Sequence, residues 1–244
     1  MADKEFEAQQ HPEQVVTSSD QPFDAAQLFK DHKKQVGRFS DIVAMGPNKM
    51  DNTLGSGFAI DRVENGSDSF CRLATDNHVV GSVSSDARVN LQDGKSYPFE
   101  VELRDVANDI AIVKVKGVPS EFCQPIAVEN EPLPLKQGES VLKIGARDGG
   151  PNSTVGQVET YFRRSQADGL PLLPGENAAR PMLSVQTNDR NSHGGDSGGP
   201  MLGLSGKAIA IMDAEGPGVI AGTPSNFLYD DLQKVRAKDS KREF

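Results

Sequence analysis

The chain has no tryptophan, and only 6% of its residues are aromatic, so aliphatic side chains must supply most of any core. It has two cysteines, Cys71 and Cys123, with no CxxC or Cys/His spacing around them, which excludes a structural zinc site of the usual kinds. Two separate buried thiols, acting as small hydrophobes, are the expected arrangement, with a single disulfide the alternative. Long apolar runs are missing as well. No stretch approaches the ~18 consecutive apolar residues of a membrane span, and Met1-Ala2-Asp3-Lys4-Glu5 lacks the basic and then apolar order of a secretory leader. Basic charge is in deficit. With 26 Lys and Arg against 35 Asp and Glu, the formal net charge is −9, which argues against a nucleic-acid binder, since that needs a basic surface to neutralise phosphates.

What the chain has in quantity is turn-forming residues. Its 244 residues include 24 Gly and 15 Pro, more punctuation than a helical bundle needs, in a chain long enough for one large domain or two small ones sharing a core. A β-rich fold follows. Residues 1 to about 21 are polar and rich in Glu, Gln, Ser and Asp, a composition that cannot bury enough apolar surface to offset ordering, and are expected to be a flexible tail. Ala25, Ala26, Leu28 and Phe29 then cluster within two turns, which predicts a short helix with Asp24 as its N-cap.

From Val36 the pattern becomes short apolar runs broken by Gly, Pro, Asn or Asp. Phe58-Ala59-Ile60, Leu73-Ala74, Ile110-Ala111-Ile112-Val113, Val141-Leu142, Met182-Leu183 and Ala208-Ile209-Ala210-Ile211 all have strand lengths. A stretch from Val118 to Gln137, holding Pro119, Pro125, Pro132 and Pro134, divides these runs into two comparable groups. The expected all-β architecture is therefore two packed barrels: a tail and helix over 1–35, a first barrel over 36–117, a linker over 118–137 and a second barrel over 138–224. Leu228, Leu232 and Val235 recur at helical spacing behind Ser225, predicting a capped helix that gives way to a solvated tail from Arg236, within 225–244.

Gly194-Gly195-Asp196-Ser197-Gly198-Gly199-Pro200 is the most informative segment. One hydroxyl sits among glycines that reach backbone angles forbidden to other residues. Acyl transfer needs a nucleophile together with donors about 3 Å from the developing oxyanion, and the backbone amides of Gly195 and Ser197 could be those donors. A plain turn would use the same residue types, but six positions in order, Gly195 to Pro200, favour the nucleophile.

Serine is a weak nucleophile near neutral pH and needs a base. Of the four histidines, His11 lies in the polar tail, His32 in the basic end of the predicted helix and His193 in the serine's own segment. His78, in Leu73-Ala74-Thr75-Asp76-Asn77-His78-Val79-Val80, stands where one apolar strand ends and another apolar pair begins. It is the leading base. The base in turn needs a buried anion to fix its tautomer, and Asp109, at the head of the apolar run Ile110 to Val113, fits, whereas Asp93 and Asp105 read as turn residues. A metal-dependent hydrolase built on His78 and His193 lacks the paired ligand spacing. No metal or other cofactor is expected.

Taken together, Thr75-Asp76-Asn77-His78-Val79-Val80, Asp109-Ile110-Ala111-Ile112-Val113 and Gly195-Asp196-Ser197-Gly198-Gly199-Pro200 resemble the trypsin-like serine peptidases, particularly the bacterial HtrA/Deg group. Gly55-Ser56-Gly57-Phe58, Val141-Leu142-Lys143-Ile144-Gly145 and Pro224-Ser225-Asn226 extend the resemblance over roughly Gly55 to Leu232. It implies two Greek-key barrels around a cleft, His78 as base, Asp109 as its orienting acid, Ser197 as nucleophile, a polypeptide substrate and an extracytoplasmic (periplasmic or secreted) setting, with a cytoplasmic one the alternative. Asp196 departs from the Asn usual in HtrA-like chains and matches small secreted bacterial peptidases. No PDZ domain is expected after the barrels, and no released amine is available to pair with Asp196. An internal cation is implied instead, with Lys143 first and Arg147 second. Position relative to Ser197 assigns the specificity pocket to Asn191, His193, Ile211, Met212, Asp213 and Val219. A binding protein on a dead peptidase scaffold is the competing function.

Overall fold

A computed structural model describes residues 22–45, 48–65, 68–81, 83–131, 135–147, 150–166, 172–189 and 194–240. The expected tail over residues 1–21 lies outside them. The helix predicted behind Asp24 is α1, Ala25–His32, and the Asp24 side chain caps it by accepting the Gln27 amide at 2.9 Å.

Seven strands form the first sheet: β1 (Val36–Met45), β2 (Asn48–Val63), β3 (Phe70–Asp76), β4 (Arg88–Asn90), β5 (Ser96–Tyr97), β6 (Phe99–Asp105) and β7 (Ile110–Lys116). Their spatial order is β5-β4-β1-β2-β3-β7-β6, with every neighbour antiparallel. The sheet curls as half a barrel, and no pairing joins β5 to β6 among the described residues. The second unit does close. Its strands β8 (Ser140–Arg147), β9 (Gly150–Arg163), β10 (Pro181–Thr187), β11 (Pro200–Leu202), β12 (Ala208–Gly216) and β13 (Val219–Pro224) form a six-stranded barrel in the order β10-β13-β12-β11-β8-β9, with β9 pairing back onto β10. The apolar runs read as strands all fall within these elements.

One hydrophobic cluster joins the two units. Phe58, Ile110 and Ile112 from the first sheet meet Leu142, Ile144 and Ile211 from the barrel, and Leu228, Leu232 and Val235 close it from the terminal helix. Each such aliphatic or aromatic side chain contributes roughly 1.5–3 kcal/mol on burial, so the units share one core. The segment between them is pinned at several points. The Ile126 amide donates to the Ala59 carbonyl at 2.8 Å and the Glu129 amide to the Ala208 carbonyl at 2.9 Å.

Three expectations need correction. Cys71 on β3 and Cys123 in the connecting segment form a disulfide, with Cα atoms 5.7 Å apart. They stand 52 positions apart in sequence, and only the turn after β7 carries the chain back to β3. Ser225 does not cap the terminal helix, which runs over Ser225–Ser240 (α3); its hydroxyl donates to the Glu129 carbonyl at 2.9 Å. Residues 236–240 are mostly exposed, as expected, but they continue α3 rather than forming a tail. Arg236 and Asp239 of α3 form ion pairs with Asp61 and Arg72 of the first sheet, and Arg72, fully buried, also binds Asp61 and Glu102.

Candidate active site

Register brings the base to its acid. In the β3–β7 ladder Asp76 lies opposite Ile110, so the residues just past β3 and just before β7 become neighbours. His78, in the short α2 turn (Asn77–Val80), and Asp109 occupy those positions. The Asp109 carboxylate accepts the His78 backbone amide at 2.8 Å on one oxygen and meets His78 Nδ1 at 2.7 Å on the other. Two contacts fix the ring plane, place the proton on Nδ1 and leave Nε2 as an acceptor. Burial opposes the charged ring, but the hydrogen bond and charge of Asp109 outweigh it and raise the His78 pKa. Asp109 has φ +55°, in the left-handed region that aspartate tolerates better than most residues, and no other non-glycine among the described residues has positive φ. Such a conformation costs on the order of 1 kcal/mol and persists where surrounding contacts hold it; the Asn77 amide, bonded to the Asp109 carbonyl at 3.0 Å, is one of them.

The serine loop is clamped between the two units. The Ser197 carbonyl accepts the Ser56 amide at 2.7 Å, and the Gly198 amide donates to the Met212 carbonyl at 2.7 Å. Gly198 has φ +86°, and a Cβ there would come within 2.3 Å of both the Ser56 carbonyl and Thr75 Oγ1. No side chain fits. This close approach seats the loop against the end of β3, beside the histidine. The Ser56 hydroxyl donates to the Gly195 carbonyl at 2.7 Å while accepting the Ala146 amide at 2.8 Å, tying loop, β2 and β8 together. The Ser197 hydroxyl donates to the Asp213 carbonyl at 3.0 Å. Among the described residues no hydrogen bond joins it to His78.

Asp196, fully buried, has its charge matched. One carboxylate oxygen lies 2.6 Å from Lys143 Nζ, and the other lies 3.0 Å from Arg147 Nε and 3.0 Å from Asn152 Nδ2. Both cations named from sequence thus contact it. Lys143 also meets Glu215 at 3.2 Å, a partner that sequence reasoning missed. Gly145 makes room for this cluster, since a Cβ there would sit 2.1 Å from an Asp196 oxygen.

Sequence reasoning missed more on the other side of the loop. The carboxyl groups of Asp76 and Asp213 join those of the His78–Asp109 pair, with one donor atom from each of the four residues within 4.8 Å of the others. Arg180, 1% exposed, reaches Asp213 at 2.6 Å and the Asn108 carbonyl at 2.8 Å, and also contacts Glu176 and Thr223. Nothing marks Arg180 in the sequence; it ends a turn-like stretch ahead of Pro181. Asp76 has 0% exposure, and neither of its oxygens meets a hydrogen-bond donor. Burial, reinforced by the charges of Asp109 and Asp213, holds its pKa well above the usual carboxylate range. The Asp213 pKa is also raised, by burial and by Asp109, against the pull of Arg180. In sequence Asp76 lies in the polar step Thr75-Asp76-Asn77-His78, where nothing distinguishes a buried acid from a turn residue.

Of the positions assigned to a specificity pocket, Asn191 and His193 lie outside the described residues. Ile211 packs in the shared core and Met212 inside the barrel. Asp213 does not stand as a free acid that could receive a basic side chain, because Arg180 binds it. Val219, 38% exposed, lines a cavity of about 600 Å³ with Gln186, Thr187 and Gly218.

The trypsin-like peptidase domain family matches residues 55–211. The chain belongs to that family. Serine protease HTRA1A of Danio rerio is 31% identical over 179 residues, covering 70% of this chain and 35% of that protein. Serine protease HTRA3 of Homo sapiens is 30% identical over 182 residues, covering 70% of this chain and 38% of that one. The chain therefore spans little more than a third of the length of these curated relatives. Among solved structures, an HtrA-type protease AlgW with a decapeptide superposes with a TM-score of 0.66 at 18% identity, covering 88% of this chain and 68% of that one. The Rv3671c protease in its inactive form gives 0.63 at 21% identity, covering 85% and 92%. At these identities the likeness is one of fold. No helix among the described residues is long and apolar enough to cross a membrane.

Proposed function

We propose that this protein is a serine endopeptidase that hydrolyses polypeptides through an acyl-enzyme, with Ser197 as nucleophile, His78 as general base and Asp109 as the acid that orients it. The two-point grip of Asp109 on His78, through Nδ1 at 2.7 Å and the backbone amide at 2.8 Å, carries this reading, because it presents Nε2 toward a hydroxyl and stabilises the imidazolium that forms. Turning the Ser197 hydroxyl from the Asp213 carbonyl toward Nε2 precedes attack. Ser197 Oγ then bonds to the scissile carbonyl carbon while its proton passes to Nε2. The resulting oxyanion is held by the amides of Gly195 and Ser197. His78 returns the proton to the departing amine, and water repeats the sequence to release the acid. The residues over 36–117 and 138–224 supply the two walls of the cleft, and Val219 belongs to the specificity pocket. An extracytoplasmic location accords with the Cys71–Cys123 disulfide, since such bonds persist in oxidising compartments.

The competing reading, a binding protein on this scaffold, has one observation in its favour: the Ser197 hydroxyl is bonded away from His78. A fluorophosphonate probe separates the two. Covalent labelling at Ser197, lost in His78→Ala, supports the peptidase, and absence of any adduct at Ser197 across pH 5–9 rejects it.

A further inference from the structure

Asp76 is the buried group that the proposed reaction does not use. It ends β3, carries 0% exposure, and has two carboxylate oxygens that meet no hydrogen-bond donor. A buried carboxylate without a partner costs several kcal/mol when charged, so something must compensate it. The neighbouring groups do so only in part: the Arg180 charge and the Gly198 backbone favour the ionised form, but burial and two carboxylates outweigh them. Around it stand Asp109 at the head of β7, Asp213 on β12 and the His78 ring, with Glu176, ahead of β10, acting on that ring. The cations on that side are Arg180 and Arg164; both bind Glu176, and Arg180 also holds one Asp213 oxygen at 2.6 Å. Four carboxylates thus face two guanidinium groups.

The donor set is specific. One imidazole nitrogen and three carboxylate oxygens lie within 4.8 Å of one another, with His78 Nδ1 2.7 Å from Asp109 and 3.9 Å from Asp76. Donors about 2.0–2.2 Å from a tetrahedral zinc ion stand roughly 3.3 Å apart, so pairs no more than 4.8 Å apart need to close by about 1.5 Å or less to surround one ion. Nitrogen and carboxylate oxygen together suit zinc and its first-row neighbours better than magnesium or calcium.

From this juxtaposition we infer that Asp76, His78, Asp109 and Asp213 form a binding site for a divalent transition-metal ion of the zinc type, one that switches the serine site off reversibly. A metal on Nδ1 takes the lone pair there, moves the ring proton to Nε2 and displaces Asp109 from its orienting bond. Nε2 then has no lone pair with which to accept the Ser197 proton. This inhibitory consequence rests on the peptidase reading; the binding itself does not.

The test uses the full chain after chelator treatment, with zinc chloride as the probe. Calorimetry should give one ion per chain, and Asp76→Asn should weaken that site by at least about tenfold, its folding checked by thermal melting. Cobalt titrated into the wild type should give the visible absorption of a low-coordinate site, saturating at one ion per chain, which keeps the test open if the variant misfolds. Zinc should also slow fluorophosphonate labelling of Ser197, with recovery on adding chelator. No stoichiometric zinc binding, equal affinity in folded Asp76→Asn, or labelling indifferent to zinc would overturn the proposal. A chain that binds zinc at this site yet never labels would instead reject the peptidase reading and leave the metal site standing.

Discussion

Two aspartates adjoin the loop that carries Ser197, and both are fully buried: Asp196 within the second barrel and Asp76 at the end of the first sheet. Their surroundings are opposite. Asp196 has two cations and an amide on its two oxygens, whereas Asp76 has no hydrogen-bond donor on either and two further carboxylates close by. Equal burial therefore does not mean equal chemistry. A carboxylate given fixed cations is part of the scaffold and holds the loop. One crowded by other carboxylates, with the Arg180 charge not enough to offset them, can respond to its solution.

The comparison can be broken at several points. The largest effect is expected at Asp109, another buried carboxylate, which already has a partner in His78. Asp109→Asn should lower turnover of a peptide substrate by about 10⁴, the amide favouring the wrong histidine tautomer, with little change in the melting temperature. A variant retaining most of its activity would mean that Asp76 or Asp213 can orient the ring in its place.

Next comes the matched site. Lys143→Met removes a buried ammonium group from Asp196 and Glu215 together and should destabilise the fold by about 3–5 kcal/mol, the range for breaking a buried ion pair, read from urea unfolding. A loss under about 1 kcal/mol would show that Arg147 and Asn152 suffice.

Asp76→Asn should do much less to stability. With chelator present, a neutral amide of the same shape replaces a carboxyl that burial and the nearby carboxylates already bias toward its neutral form, so the expected change is within about 1 kcal/mol in either direction. A cost as large as that of Lys143→Met would mean that the Asp76 charge is paired after all.

The smallest effect concerns the clasp of α3 on the first sheet. Burial acts to raise the Asp61 pKa, but the hydrogen bonds and charges of Arg236 and Arg72 outweigh it and leave it lowered. The folded value thus lies below the unfolded one near 3.9, so this contribution is fully present above pH ~4 and is lost as pH falls through the folded value. The stability gap between wild type and Asp61→Asn should narrow between pH 6 and pH 3. A gap that stays constant would place the clasp's strength in packing rather than charge.

Short-range pattern was enough for the strands, and short segments taken together picked out His78, Asp109 and Ser197 as candidates. Alternation and turn residues mark a β-strand locally, and His78, Asp109 and Ser197 each sit in a short segment whose residue types suit one role. Even the Lys143–Asp196 contact was within reach, because the resemblance to small bacterial peptidases implied an internal cation for the buried acid and Lys143 stands on an apolar strand. The failures have a common physical origin. Cys71 and Cys123 are brought together by a chain reversal that spacing does not encode, and the seat of Ser225 depends on a carbonyl almost a hundred residues away. Arg180 and Asp76 were missed because a charge acquires its meaning from what surrounds it. Sequence by itself determined which segments form strands and which residue types could do acyl-transfer chemistry. Tertiary structure alone decided which of several buried charges are neutralised and which are not, because electrostatic energy in a protein interior depends on distances and burial that adjacency in the chain does not specify.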